Sequence, residues 1–330
     1  MVVESLISGV EAEKHPWMVL VFGFALSIIA IFLSLWIFED QASIVFLFFT
    51  VMGSIPVMYS VIKLEEKKDV SDFHEMRLLK EHSKALKAFM SLFIGITLAV
   101  TAWFVYPPIA ILLACLSIGH LTFIFSKKNH LINLLVFLVI GVIFAILAHN
   151  SEYDSNVQQV FKTQIETFNG LQATGHVTDN ASSSLDTFSK IFFNNMKVLI
   201  FCILFSFIYG AGAIFILTWN ASIIGVAIGD QIRSGLGEVT HLMGFNKTTE
   251  YLGTITYGLL KYSIHGIPEI LAYFVAALAG GIISVGVIKH DFEGRKFEHI
   301  VLDATDLLLL SLGILFLAAI LEVWITPSIF

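Results

Sequence analysis

The stretch that decides the fold is residues 265–288, which read HGIPEILAYFVAALAGGIISVGVI. From Ile270 onward it carries no charge, and at 1.5 Å per residue about 20 such residues cross the hydrocarbon of a bilayer. His265 and Glu269 place an imidazole and a carboxylate one helical turn apart at the mouth of this run. Because a charged side chain at the bilayer centre costs roughly 3 kcal/mol, both residues are candidates for a functional role. The stretch therefore predicts a membrane span with a polar mouth.

Composition places the whole chain in the membrane. Hydrophobic residues make up 57% of it and charged residues 14%, against roughly 25% charged residues in soluble domains, which excludes a water-soluble globule. Apolar runs of spanning length predict eight spans, at residues 17–38, 43–62, 89–106, 109–125, 131–148, 191–218, 266–288 and 304–325. With a ninth, imperfect span near Asn220, the predicted fold is an all-α polytopic membrane bundle of about nine spans, one of them short or broken.

Basic residues predict the orientation, because the cytoplasmic loops of membrane proteins carry an excess of lysine and arginine. A cytoplasmic N-terminus puts the dense basic group of residues 63–88 on the inner side, and it puts the C-terminus outside the cell. Residues 1–130 then form a first unit of four spans around this charged helical loop. Residues 131–330 form a second unit with a polar outer segment at 149–190.

The imperfect span predicts a break in a helix. Its apolar part, residues 221–229, is only about 14 Å long at 1.5 Å per residue, which is too short to cross the bilayer. Irregular backbone at membrane depth is tolerated only where it is buried in protein or lines a wet cavity, and broken helices mark the substrate sites of many transporters. The alternative is a short ordinary span that Asp230 and Arg233 complete at the outer interface.

The residues around His265 predict a polar cluster. Lys261, His265 and Glu269 would share one face of a continuous helix, but Gly266 and Pro268 favour a helix start. Proline is tolerated in a first turn, and a carboxylate there is stabilised by the helix dipole. Residues 251–264 would then form a separate helix at the outer interface. We predict a functional polar cluster composed of His265, Glu269, Asn220, Asp230, Lys261 and Arg233.

Small residues predict where helices approach each other closely. Ala272, Ala276, Gly280 and Ser284 recur at every fourth position, and Gly225 and Gly229 form a matching pair. Ridges of this kind allow membrane helices to pack at short distance. We interpret the ridge as packing within the chain, with a subunit interface as the alternative.

Three interpretations compete for His265 and Glu269. In the first, the two residues form a structural staple for the broken backbone near Asn220. In the second, they form a proton or ion path with Asp230 as partner. In the third, they are part of a metal-assisted hydrolase. No His-Glu-x-x-His motif is present in the sequence, so we predict no metal site, no cofactor and no catalytic residue. No basic face for nucleic acid is present either.

Several motifs resemble those of the stage II sporulation protein M family. They are Phe193-Asn194-Asn195 at the opening of a span, Gly210 and Gly212, Trp219-Asn220 followed by Gly225, and His265-Gly-Ile-Pro-Glu269 leading into 276–281. The resemblance covers residues 131–325 and marks Asn194, Asn195, Gly266 and Pro268 as family-motif positions. It implies an integral membrane protein of about five spans in this part. Sporulation members are scaffolds that localise peptidoglycan-degrading partners, a role that the extra first 130 residues argue against transferring.

These observations favour a non-enzymatic multispanning scaffold of the cell membrane that organises partner proteins. The expected partners are membrane lipids, membrane or extracytoplasmic proteins, and a second copy of the chain, with no nucleic acid. The main alternative is a transporter or channel whose pathway runs between residues 221–229 and the span 266–288. A second alternative is an intramembrane metal-dependent hydrolase, which would hold tightly bound zinc.

Overall fold

The computed structural model describes residues 7–66, 75–126, 130–149, 153–176, 184–206, 211–238, 244–288 and 295–329. Helices account for nearly all of these residues. In chain order they are α1 (Gly9–Lys14), α2 (Pro16–Ile37), α3 (Ala42–Glu66), α4 (Glu75–Val105), α5 (Pro107–Ser126), α6 (His130–His149), α7 (Tyr153–Val160), α8 (Lys162–His176), α9 (Ser184–Ser206), α10 (Ala211–Glu238), α11 (Gly244–Ile288), α12 (Arg295–Ile320) and α13 (Thr326–Ile329). A short 3₁₀ turn, Glu39–Gln41, precedes α3, and a π-helical turn, Leu321–Ile325, joins α12 to α13.

Seven of the described helices are long and apolar enough to cross a membrane. The spans are Pro16–Ile37, Glu39–Leu64, His82–Val105, Ser184–Phe205, Ile214–Leu236, Thr249–Ser284 and Ile300–Ile329. Shorter apolar stretches, Pro107–Thr122 and Leu131–Ile146, lie within α5 and α6. Proline at the first position begins α2 and α5, where its missing N–H needs no partner. The predicted all-α membrane bundle is confirmed.

Helix α11 lies at the centre of the bundle. It packs against α3, α4, α9, α10 and α12. Tyr273 and Phe274 are each only 1% exposed, and the ring of Phe274 lies 5.8 Å from the rings of Phe89 and Phe93 on α4. Residues 270–284 therefore form the middle of the core.

Helices α4 and α10 approach each other at glycine, and this contact is called the α4–α10 seam below. A Cβ atom on Gly225 would lie 2.7 Å from Val100 Cβ and 2.9 Å from the Thr97 carbonyl oxygen. Thr101 Oγ1 donates a hydrogen bond of 3.1 Å to the Gly225 carbonyl oxygen. Gly95 of α4 lies against α2, and a Cβ atom there would clash with the Leu20 carbonyl oxygen. The first 130 residues thus share one core with the rest of the chain.

The predicted break near Asn220 is wrong, because α10 runs without interruption from Ala211 to Glu238. Asn220 Nδ2 donates a hydrogen bond of 2.8 Å to the Ile216 carbonyl oxygen one turn earlier, so this polar residue is satisfied within its own helix. Asp230 and Arg233 extend the helix beyond its apolar part. Gly225 and Gly229, within this apolar part, are contact points with α4, where a larger side chain would not fit.

The predicted helix start at Gly266 is also wrong. Pro268 lies inside α11, which is continuous over 45 residues, and residues 251–264 are its first half rather than a separate interfacial helix. A proline removes one backbone hydrogen bond, and neighbouring helices can compensate for that loss in a membrane bundle. Glu269 is therefore in mid-helix, away from any helix N-terminus.

One predicted span combined parts of two helices. Residues 191–218 belong to the end of α9 and the start of α10, and the junction at 207–210 lies outside the described residues. The run of apolar residues continues through this junction, so hydropathy alone could not locate it. Gly210 and Gly212 are the residues in the sequence that mark this junction.

Helices α7 and α8, from the predicted outer segment, pack onto the end of α3. Val157, Val160 and Phe161 are fully buried, and the Phe161 ring lies 5.6 Å from that of Phe46 and 6.0 Å from that of Phe104. The hydroxyls of Ser43 and Thr163 are 2.7 Å apart, and Gln164 Nε2 donates to the Ser43 carbonyl oxygen at 3.2 Å. This segment closes one end of the bundle.

Candidate functional site

His265 ties α11 to the π-helical turn at the end of the chain. Its Nδ1 atom is 3.2 Å from Thr326 Oγ1. Thr326 Oγ1 in turn donates a hydrogen bond of 3.0 Å to the Leu321 carbonyl oxygen. Because a hydroxyl has only one hydrogen to donate, His265 Nδ1 must be the donor to Thr326, which assigns the neutral imidazole its Nδ1–H tautomer. These two hydrogen bonds therefore fix the orientation of the His265 ring and the position of the π-helical turn.

The π-helical turn brings a second carboxylate toward Glu269. The Thr326 backbone N–H bonds to the Leu321 carbonyl oxygen, the spacing of a π-helix, and such turns occur often at functional sites. The carboxyl groups of Glu322 and Glu269 lie within electrostatic range of each other. Sequence reasoning missed Glu322 and Thr326, because a π-helical turn has no recognisable sequence signature.

Glu269 bonds to a residue on its own helix. The Tyr273 hydroxyl donates a hydrogen bond of 2.6 Å to Glu269 Oε1 from one turn further along. His265 bonds to Thr326 and Glu269 to Tyr273, so these bonds do not reach the backbone near Asn220, and the predicted staple for a broken helix there is wrong. Tyr273 was missed as a site residue, although it continues the four-residue spacing of 261, 265 and 269.

The remaining members of the predicted cluster lie in other surroundings. Lys261 Nζ sits 5.8 Å from the ring centre of Tyr257 and 5.9 Å from that of Tyr262, which are cation–π distances. Asp230 and Arg233 line an open depression of about 360 Å³ together with Phe104, Gln158 and Ser234. Asn220 bonds within α10. The structure thus joins His265 and Glu269 to a common site and gives the other four residues different contacts.

The family-motif positions and the small-residue ridge occupy distinct surfaces. Asn195 is buried and Asn194 is exposed, while Gly266 is buried and Pro268 half-buried. The ridge of small residues is buried within this single chain, at Ala272, Ala276, Gly280 and Ser284. Gly225 and Gly229 face α4 rather than this ridge.

The space between α4, α10 and α11 around Phe274 is narrow. The cavity between α4, α10 and α11 has a volume of about 10 Å³ and is lined by apolar side chains apart from Thr218. A volume of this size holds at most about one water molecule. Within the described ranges, His, Cys, Asp and Glu side chains form no group of three or more that could hold a metal ion. The site can therefore hold α11 against the last turn by hydrogen bonds next to a dry core.

Comparison with known proteins identifies the second part of the chain. The family model described as Stage II sporulation protein M matches residues 134–327, a range that runs from α6 to α13 and includes the whole His265 site. An uncharacterised protein of Methanocaldococcus jannaschii is 30% identical over 145 residues, which cover 43% of this chain and 72% of that protein. No solved structure matches the chain. The chain belongs to the Stage II sporulation protein M family, and it is a multi-pass membrane protein.

Proposed function

We propose that this protein is a non-enzymatic membrane scaffold that holds partner proteins at the cell membrane. The observation that carries the proposal is the unequal burial of its spans. Within an apolar stretch of 18 residues in each span, only 17% is buried in Ser184–Phe205 and 22% in Ile300–Ile329, against 72% in Thr249–Ser284. A rigid centre with two open flanking helices is the arrangement that a membrane scaffold needs.

The narrow space between α4, α10 and α11 also supports this function. A transporter needs a polar path between its helices, whereas the space around Phe274 has room for about one water molecule. The His265 and Glu269 hydrogen bonds then serve to hold α11 against the last turn, which fixes the position of the flanking helix α12.

Photo-crosslinking tests the scaffold directly. A photoreactive amino acid is placed at Phe201 on α9 or Leu317 on α12, which are 48% and 59% exposed. Both positions should form adducts with other proteins in the native membrane, whereas the same group at the 1% exposed Phe274 should form none. Adducts with lipid alone from both exposed positions would contradict the proposal.

A flux assay separates the scaffold from a transporter. The full chain is reconstituted in liposomes that contain a pH-sensitive dye. We expect no proton flux above that of empty liposomes from the wild-type chain or from Glu269→Gln, and a lower folded yield from His265→Ala. A flux that Glu269→Gln abolishes would overturn the scaffold and favour transport.

The orientation proposed for the scaffold has a cytoplasmic N-terminus and an extracytoplasmic C-terminus. It follows from the basic residues of 63–88 on the inner side. A single cysteine at Asp186, at the start of α9, should react with an impermeant reagent in intact cells. A single cysteine at Lys14 should react only after lysis, and the reverse pattern would invert the topology.

A further inference from the structure

Lys197 is a charged residue on the membrane-facing side of α9. The Phe188 ring, earlier on α9, lies 5.6 Å from the Trp324 ring at the end of the chain. Tryptophan marks the membrane interface in many proteins. Lys197 is nine positions beyond Phe188, which corresponds to about 13 Å along the helix axis. Since the hydrocarbon of a bilayer is about 30 Å thick, this lysine lies close to its middle.

The position of Lys197 is costly unless another molecule compensates for it. Lys197 is exposed, and among the described residues its ammonium makes no hydrogen bond or ion pair. A lysine at the centre of a membrane helix costs about 2.5–3.5 kcal/mol, so ionisable residues there usually have a partner. The four-carbon stem of lysine is shorter than the distance to the interface, so snorkelling alone leaves the ammonium in hydrocarbon.

Lys197 belongs to a stripe on the exposed face of α9, which we call the α9 stripe. Its members recur at helical spacing and all are exposed: Lys190, Asn194, Lys197, Phe201 and Leu204. The stripe is about 21 Å long, which suits a second membrane helix lying along it. Asn194, one turn from Lys197, supplies an amide that can hydrogen-bond across a helix–helix interface.

We propose that the α9 stripe docks a transmembrane helix of a partner protein, and that this helix carries a carboxylate at the depth of Lys197. The proposal rests on the scaffold function above and names the class of partner that the scaffold holds. A carboxylate is the group whose charge complements the ammonium, and a pair of this kind removes the cost of each charge in hydrocarbon.

A second copy of the chain does not supply this carboxylate. Glu322 is only two residues before Trp324, near the interface, and Glu269 lies one helical turn beyond His265, which contacts Thr326 near the end of the chain. Asp306 on α12 is about 27 Å along the chain from Trp324 at 1.5 Å per residue, which is near the opposite interface. Among the described residues of these flanking and central helices, no exposed carboxylate matches the depth of Lys197. The partner is therefore a different protein.

Synthetic membrane helices test the proposal. The full chain, with an acceptor dye on an N-terminal tag, is placed in liposomes with donor-labelled leucine–alanine peptides that carry a central Glu, a central Gln or a Glu near one end. Energy transfer should show binding of the central-Glu peptide and about tenfold weaker binding of the other two, since a polar contact between membrane helices contributes about 1–2 kcal/mol.

Variants of the chain complete the test. Lys197→Met should weaken binding of the central-Glu peptide about tenfold, and Lys190→Met, nearer the interface, should weaken it less. Lys197→Glu should reverse the preference and bind a central-Lys peptide. Size-exclusion profiles show whether each variant is folded, and removal of a charge from mid-membrane should not lower the folded yield.

Two outcomes would overturn the proposal. The first is equal binding of the central-Glu and central-Gln peptides to the wild-type chain. The second is a lipid role, in which Lys197→Met leaves peptide binding unchanged but reduces the enrichment of phosphatidylglycerol around the protein in mixed phosphatidylglycerol and phosphatidylcholine vesicles. If crosslinks from position 317 still trap proteins in the native membrane, the scaffold function stands and only this docking site is wrong.

Discussion

The α4–α10 seam and the outward face of α9 both belong to helices of spanning length but differ in contact. In the seam a Cβ atom on Gly229 would lie 2.9 Å from Phe104 Cβ. On α9, Leu204 and Phe193 are 56% and 60% exposed. Hydropathy cannot distinguish the two surfaces, because lipid and protein interiors are equally apolar. What separates these two surfaces is residue size: the seam has Gly225 and Gly229 where the helices touch, and α9 has large side chains where the described chain does not cover them.

This difference assigns separate tasks to the two regions. The seam and the buried middle of α11 give the bundle a fixed shape, so substitutions there should affect stability. The faces of α9 and α12 contribute little to that shape, so substitutions there should affect partners while leaving stability nearly unchanged. Paired substitutions of one residue type in both regions therefore test the comparison.

The largest expected effect is that of Phe161→Ala, in the buried region. Phe161 is 0% exposed and packs between Phe46 and Phe104. Loss of a fully buried phenylalanine costs about 3–5 kcal/mol of unfolding free energy, because a cavity replaces its contacts. The loss is measured by heating the protein in detergent while a thiol-reactive dye reports exposure of the fully buried Cys202.

The matched substitution on the open face is Phe201→Ala. Phe201 is 48% exposed on α9, so its removal should change the unfolding free energy by less than about 0.5 kcal/mol. Similar losses from the two phenylalanine substitutions would mean that α9 packs against the chain as tightly as α7 and α8 do, and the comparison would fail.

A smaller effect is expected from Gly95→Ala. The added methyl group would clash with the Leu20 carbonyl oxygen, so the α2 backbone must move. Overpacking of this kind costs about 1–3 kcal/mol, seen as a lower unfolding temperature in the same dye assay. Gly313→Ala on α12 is the control, since nothing lies within 4 Å of its Cβ position. It should raise stability by about 0.5–1 kcal/mol, because alanine favours helix over glycine.

The sequence predicted the membrane bundle from its long apolar runs and the family from its short motifs, because both patterns can be read from the residues alone. It predicted wrong helix ends wherever glycine or proline had two meanings. Pro268 was taken as a helix start and lies in mid-helix, whereas Gly225 and Gly229, which the sequence predicted as packing residues, do contact a neighbouring helix. Only the neighbouring helix decides between these meanings, and a single sequence does not reveal which helix that is.

Only part of the candidate site could be predicted, because the sequence does not reveal which helices contact each other. His265 and Glu269 were identified because an ionisable side chain is energetically unfavourable in the membrane interior, and this depends on each residue alone. Their partners Thr326 and Tyr273 are uncharged, so the same criterion passed over them. Thr326 is also 61 positions away from His265, a pairing that sequence spacing cannot suggest.

Removal of the Tyr273 hydroxyl, in the core of α11, should cause an intermediate loss of unfolding free energy. Tyr273→Phe removes the 2.6 Å bond to Glu269 and should lower the unfolding free energy by about 1–2 kcal/mol, because the carboxyl group loses its partner away from water. In the Glu269→Leu background the same substitution should have little further effect. Equal losses in both backgrounds would show that the two side chains act independently.

Among the substitutions that remove a buried contact, the smallest loss is expected from Thr326→Val, where the buried region meets the open flank. Valine keeps the shape of threonine but removes the hydroxyl that accepts from His265 and donates to the Leu321 carbonyl oxygen. Hydrogen bonds contribute about 0.5–1.5 kcal/mol net, and a terminal turn can rearrange more easily than a mid-helix position, so the loss should be about 1 kcal/mol. Thr326→Ser keeps the hydroxyl and should restore most of that stability. If valine and serine behave alike, the tie between α11 and the π-helical turn does not hold the flanking helix, and His265 needs another explanation.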